Sequence, residues 1–142
     1  MSPKRVTLRF RAALEYRPLA IELVTAVVRQ VEQAESDFVH ELVTAFGEAF
    51  NNIVIHGYRD IADGMLDIEA DIEDGGIRLR LIDSGRAVDF ADCVEPDLAA
   101  LPESGMGVFM MHALVDEVLY SEGSPNVLSL VKRTSPRTEA AE

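Results

Sequence analysis

Tryptophan is absent from the chain, cysteine occurs once, and aromatic residues make up only 6% of the 142 positions. A single thiol, Cys93, has no partner for an internal disulfide, which excludes a cystine-stapled scaffold and suits a reducing compartment. Long apolar runs are missing too. No stretch reaches the ~20 residues that a membrane-spanning helix needs. The opening MSPKRVTLRFRA has no apolar run ahead of its first charges, unlike a secretory leader. Together these absences lead us to expect a cytoplasmic protein with no membrane contact. Basic residues are scarce: 13 Lys and Arg stand against 25 Asp and Glu, a net charge of −12. Such a surface repels phosphate backbones and argues against a direct nucleic-acid partner. A nucleotide could enter only with a metal ion or oriented backbone amides. The phosphate-loop pattern G-x-x-x-x-G-K-[ST] is also absent.

What remains is an ordinary globular composition, 48% hydrophobic and 27% charged, in a chain long enough for one well-buried core. Residues 1–133 read as that single domain, and TSPRTEAAE, 134–142, as a frayed, disordered tail. Alternation of Val6, Leu8 and Phe10 predicts a half-buried strand over 5–11. Apolar residues at Leu19, Leu23, Val27 and Val31 predict a helix from Pro18 to Ala34. Ser36 or Asp37 can cap a second helix running to about His56, where Gly57 offers a stop. MLDIEADIE and IRLRLID, joined by Asp74-Gly75-Gly76, form a hairpin. The pattern then breaks for roughly twenty residues, as in a lid or binding loop. A helix follows from SGMG through VFMMHALVD, and a closing hairpin from EVLYSE and VLSLVKR. Hairpins with helices gathered between them pack as an α/β (α+β) two-layer sandwich, a mixed, mostly antiparallel sheet with helices on one face. The acidic row Asp67, Glu69, Asp71 and Glu73 would cover the other face, left wet or facing a partner.

Three polar clusters interrupt this pattern. In GEAFNNIVIHGY, 47–58, a broad apolar face is bordered by a narrow polar stripe. With Glu48 at zero and about 100° per residue, Asn52 falls near 40° and His56 near 80°. Asparagine is a mediocre helix former, and on its own the stripe reads as a solvated face. The second cluster ends the strand LRLID with Asp83, followed by Gly85; alone it reads as a turn. There a carboxylate could accept from an exocyclic amine while Gly85 lets a flat base approach. The third, ESGMGVFMM, runs glycines into a helix start, where backbone N–H groups can face an anion; alone it reads as a tight turn. Jointly they are the parts of an ATP site.

At these residues the chain resembles the GHKL ATPase superfamily. EAFNNIVIHGY, DSG and SGMGVFMMHALVDEV look like its N, G1 and G2 boxes, and the whole is most similar to bacterial anti-sigma-factor serine kinases of the SpoIIAB and RsbW type. The resemblance covers Arg5 to about Lys132. It implies a Bergerat-type ATP-binding fold with ATP and Mg²⁺ as cofactors. Asn52 becomes the metal ligand and Glu48 the catalytic base. His56 stands in the same stripe, as a supporting or capping residue. Asp83 reads adenine beside Gly85, and Ser104, Gly105, Met106, Gly107 and Val108 line the phosphates. Residues from about Cys93 to Ser104 form the ATP lid. The implied activity is phosphorylation of a serine on an antagonist protein with a STAS domain, by a homodimer that also sequesters a sigma factor; the alternative is a module that regulates by nucleotide and partner binding alone. Two departures from the pattern stand out: Arg86-Ala87-Val88-Asp89 follows Gly85 without a second glycine, and Glu103 replaces the arginine before Ser-Gly-Met-Gly.

Overall fold

The computed structural model describes residues 3–91 and 103–134, with the backbone alone at 103–105. Of the expected lid, 93–102 lies outside the described residues while Glu103 and Ser104 open a helix, and of the expected tail only Thr134 is described, its N–H donating to the Gly75 carbonyl at 2.9 Å. Strand β1 (Lys4–Arg11) leads through a 3₁₀ turn at Leu14–Tyr16 into α1 (Arg17–Val28) and α2 (Ser36–Asn52). Strands β2 (Met65–Glu73) and β3 (Gly76–Asp83) follow, then α3 (Glu103–Leu114), β4 (Glu117–Ser121) and β5 (Asn126–Arg133).

The sheet order is β1-β2-β3-β5-β4, and all four pairings are antiparallel. The two-layer sandwich with a mostly antiparallel sheet expected from sequence is thus present, with every pairing antiparallel. The crossover through α3 lays β4 at the edge, and β5 turns back between β4 and β3, antiparallel to each. The inner face carries Leu66, Ile68, Ala70 and Ile72 of β2, Ile77, Leu79 and Leu81 of β3, and Leu128 and Leu130 of β5, all buried. Against them pack Phe46, Phe50, Leu42 and Ala49 of α2 and Met111 of α3. Burying a Leu, Ile or Phe is worth about 1.5–3 kcal/mol, so this layer supplies the main driving force of the fold.

Two helix boundaries differ from the periodicity. Helix α1 ends at Val28 instead of Ala34, because the chain tightens through i→i+3 bonds from Gln30 to Val27 and from Val31 to Val28. Gln33 then takes a left-handed φ of 67°, yet Val31 stays buried. Helix α2 continues past Asn52 as a π-helical turn, Ile53–Gly57, closed by Tyr58 N–H to the Ile53 carbonyl at 3.0 Å.

The outer face is not the bare acidic row that β2 alone suggests. Antiparallel register sets Arg5 opposite Asp71 and Arg9 opposite Asp67, with ion pairs of 2.7 and 2.9 Å. From β3, Arg80 reaches both Asp71 and Glu69. The flanking arginines hold the Asp71 carboxyl below its usual range, chiefly through its hydrogen bond with Arg5. No helix among the described residues is long and apolar enough to cross a membrane.

Candidate nucleotide site

Glu48 and Asn52 lie one turn apart near the end of α2, on the flank of its apolar face. Asn52 is only 6% exposed, and its Nδ2 donates to the Glu48 carbonyl at 2.8 Å. A carbonyl can only accept, so this bond fixes which end of the amide faces the helix. Oδ1 is turned the other way and accepts no hydrogen bond among the described residues. A hard cation wants such an oxygen. Among the described residues no group of three or more His, Cys, Asp or Glu could hold a metal. One amide oxygen would fit a Mg²⁺ ion that arrives with a nucleotide, whose phosphate oxygens and water would supply the other ligands.

Asp83 ends β3 on the inner face, only 3% exposed. Its Oδ1 accepts from the Gly85 N–H at 2.8 Å and from Asn126 Nδ2 at 3.0 Å. Asn126 also donates to the Gly85 carbonyl at 2.9 Å, and its own Oδ1 accepts from the Gly123 N–H. The second carboxylate oxygen, Oδ2, accepts nothing among the described residues. Asn126 carries no sequence signal beyond a turn before a strand, and periodicity alone misses it. Tyr58 is missed likewise: its hydroxyl donates to the Met65 carbonyl at 2.7 Å and accepts from the Ser84 N–H at 2.8 Å. Burial raises the Tyr58 phenol above its ordinary pKa.

Gly85 has a packing reason of its own. A Cβ there would collide with the Gly57 carbonyl, and Arg86 N–H donates to that same carbonyl at 2.7 Å. The π-helical turn is thereby locked to the segment after β3. Farther along, Val88 N–H donates to the Tyr120 hydroxyl at 3.1 Å, and the Phe90 ring meets Tyr120 edge-on at 5.0 Å. His112 Nε2 donates to the Phe90 carbonyl at 2.7 Å.

The third cluster differs from its reading as a loop. Helix α3 begins at Glu103, so Gly105 and Gly107 lie inside it. An acidic residue in the first turn complements the helix dipole, which helps this turn form despite two glycines. The N–H groups of Glu103, Ser104 and Gly105 open the helix without intrahelical acceptors, the arrangement that takes an anion. Met106 is half-buried, and Val108 is part of the core.

Of the residues named from sequence, the fold brings Glu48 directly against Gly107, and Asp83 against Gly85. His56 stands apart: its side-chain partner among the described residues is Arg59, 3.3 Å from Nδ1.

An open antiparallel sheet with helices on one face, a buried aspartate ending β3 and a buried asparagine on α2 define a GHKL-type ATP-binding fold. Residues 10–132 match the histidine kinase-like ATPase domain, and the chain belongs to that family. An anti-sigma F factor of Clostridium beijerinckii is 32% identical over 120 residues, spanning 82% of this chain and 83% of that protein. One from Geobacillus stearothermophilus is 34% identical over 116 residues, 79% of each. The solved RsbU and RsbW domains of Rv1364c from Mycobacterium tuberculosis superimpose with a TM-score of 0.56 at 24% identity, covering 94% of this chain and 32% of that one. That likeness carries the fold alone. The resemblance read from the three boxes is thus borne out at the level of family.

Proposed function

We propose that this protein is a Mg²⁺-ATP-dependent serine-protein kinase of a cytoplasmic partner switch. It would phosphorylate a serine on a STAS-domain antagonist and, as a homodimer, sequester a sigma factor. The observation that carries the reading is the α2 stripe: Glu48 with its carboxylate against Gly107 in α3, and Asn52 one turn on with an amide oxygen that accepts no hydrogen bond among the described residues. Relatives bearing the anti-sigma F factor name over most of both chains support the regulatory part.

In this reading Asp83 Oδ2 accepts from the adenine amine, and the N–H groups opening α3 face the phosphates. Asn52 Oδ1 would hold Mg²⁺, which neutralises phosphate charge when bound. Glu48 takes the proton of the serine hydroxyl as its oxygen bonds the γ-phosphorus and the bond to the β-bridging oxygen breaks. Such a site works by positioning more than by covalent chemistry.

One feature favours a second reading, a module that binds nucleotide and partner without transfer. Glu103 places an acid at the first residue of α3, where the triphosphate would lie. The deciding assay is transfer of label from γ-labelled ATP to a STAS-domain antagonist, beside a nucleotide titration on the same preparations. Glu48→Gln should keep nucleotide binding while transfer falls about 10²–10⁴-fold, the share of a general base. Asn52→Ala should weaken Mg²⁺-dependent binding and transfer together. Parent protein that binds nucleotide and antagonist but transfers nothing would leave the binding module standing.

A further inference from the structure

Gly107 is the fifth residue of α3, a position where glycine weakens a helix relative to alanine. Something must therefore favour the missing side chain. A Cβ at this position would collide with Oε1 of Glu48 and would lie 3.3 Å from its Cδ and 3.8 Å from its Cγ. Outside α3 itself, the three nearest atoms among the described residues all belong to the far half of this one flexible side chain. An added methyl group would thus evict the carboxylate rather than break the fold.

The contact is held by the packing of the two helices. At the far end of α3, Lys132 of β5 donates to the Leu114 carbonyl at 2.7 Å and pairs with Glu41 of α2 at 2.9 Å. The same ammonium lies 5.7 Å from the centre of the Phe38 ring, also on α2. Lys132 ties the C-terminal end of α3 to α2, and Gly107 meets Glu48 near the other end.

We propose that Gly107 is a positioning residue, whose bare Cα seats the Glu48 carboxylate at the head of α3. This rests on the reading of Glu48 as the base and adds what holds it in place. The role is distinct from letting a phosphate approach the backbone, because the space a Cβ would take is already filled by Glu48.

A double-mutant cycle read by thermal unfolding, without nucleotide or metal, tests the contact. In a Glu48→Ala background, Gly107→Ala removes a helix-weakening glycine without a collision and should raise Tm by about 3–5 °C. With Glu48 present, the same change should raise Tm by clearly less, or lower it. Equal shifts in both backgrounds would overturn the proposal, as would failure to fold in both. Failure to fold only with Glu48 present supports it. The functional arm is transfer kinetics: Gly107→Ala should lower kcat about 10- to 100-fold, the scale of an ångström's misplacement, with KM for ATP within about twofold. A raised KM with unchanged kcat would assign Gly107 to phosphate approach and overturn the positioning role. Parent protein without transfer would remove the kinase reading, and the Tm cycle alone would then decide the contact.

Discussion

Asn126 Nδ2 stands 3.0 Å from Asp83 Oδ1, and the two residues are directly opposed in the β3–β5 register. The asparagine occupies one oxygen of a carboxylate buried at the strand end, and the proposed adenine contact uses the other. Asp83→Asn would present a donor where adenine also donates. Nucleotide affinity should then fall by about 1–3 kcal/mol, measured by titration calorimetry with ADP. Asn126→Ala should weaken binding less, because it only frees the carboxylate to turn. Parent-like affinity in Asp83→Asn would remove Asp83 from the adenine site.

Tyr58 joins the start of β2 to the segment after β3 through one hydroxyl. Tyr58→Phe strips a partner from the Met65 carbonyl and from the Ser84 N–H at once. Urea unfolding should show a loss of about 1–3 kcal/mol, accompanied by weaker ADP binding. A midpoint equal to that of the parent would show that water replaces the hydroxyl at no cost.

The Asp71 carboxyl is held below its ordinary pKa of 3.8 in the folded chain, first by Arg5 and also by Arg80. A group depressed on folding adds stability above its unfolded pKa, and that share is lost as pH falls through the folded value. Asp71→Asn should therefore destabilise at pH 7 by on the order of 0.5–1 kcal/mol, solvent screening keeping it small. The gap between variant and parent should narrow below about pH 4. Denaturant midpoints at pH 7 and pH 3 check this, and a gap of the same size at both would contradict it.

Glu103 opens α3 where an arginine stands in the resembled pattern. Glu103→Arg should tighten ATP more than ADP, because the new cation acts on the γ-phosphate, while the reversed charge at the helix start costs stability of about 0.3–1 kcal/mol. Equal changes for both nucleotides would place this position away from the triphosphate.

The sequence by itself determined the elements, their order and the stripe on α2. Strict alternation in MLDIEADIE marks β2 from its first residue to its last, since a period of two admits only one buried face. The 3.6-residue rhythm likewise set Glu48 and Asn52 beside the apolar sector. Tertiary structure decided what lies far apart in the chain and close in space. Asn126 reaches Asp83 across 43 residues, and no local pattern near either announces the pair. Register turned a row that looked like an unpartnered acidic face into an ion-paired ladder, because the arginines opposite come from β1 and β3. The glycines are the sharpest case. In sequence Gly85 and Gly107 look like room for a ligand; in the fold the Gly57 carbonyl and the Glu48 carboxylate fill that room. A missing side chain shows in a sequence only as freedom, and the neighbour that needs the space comes from another element.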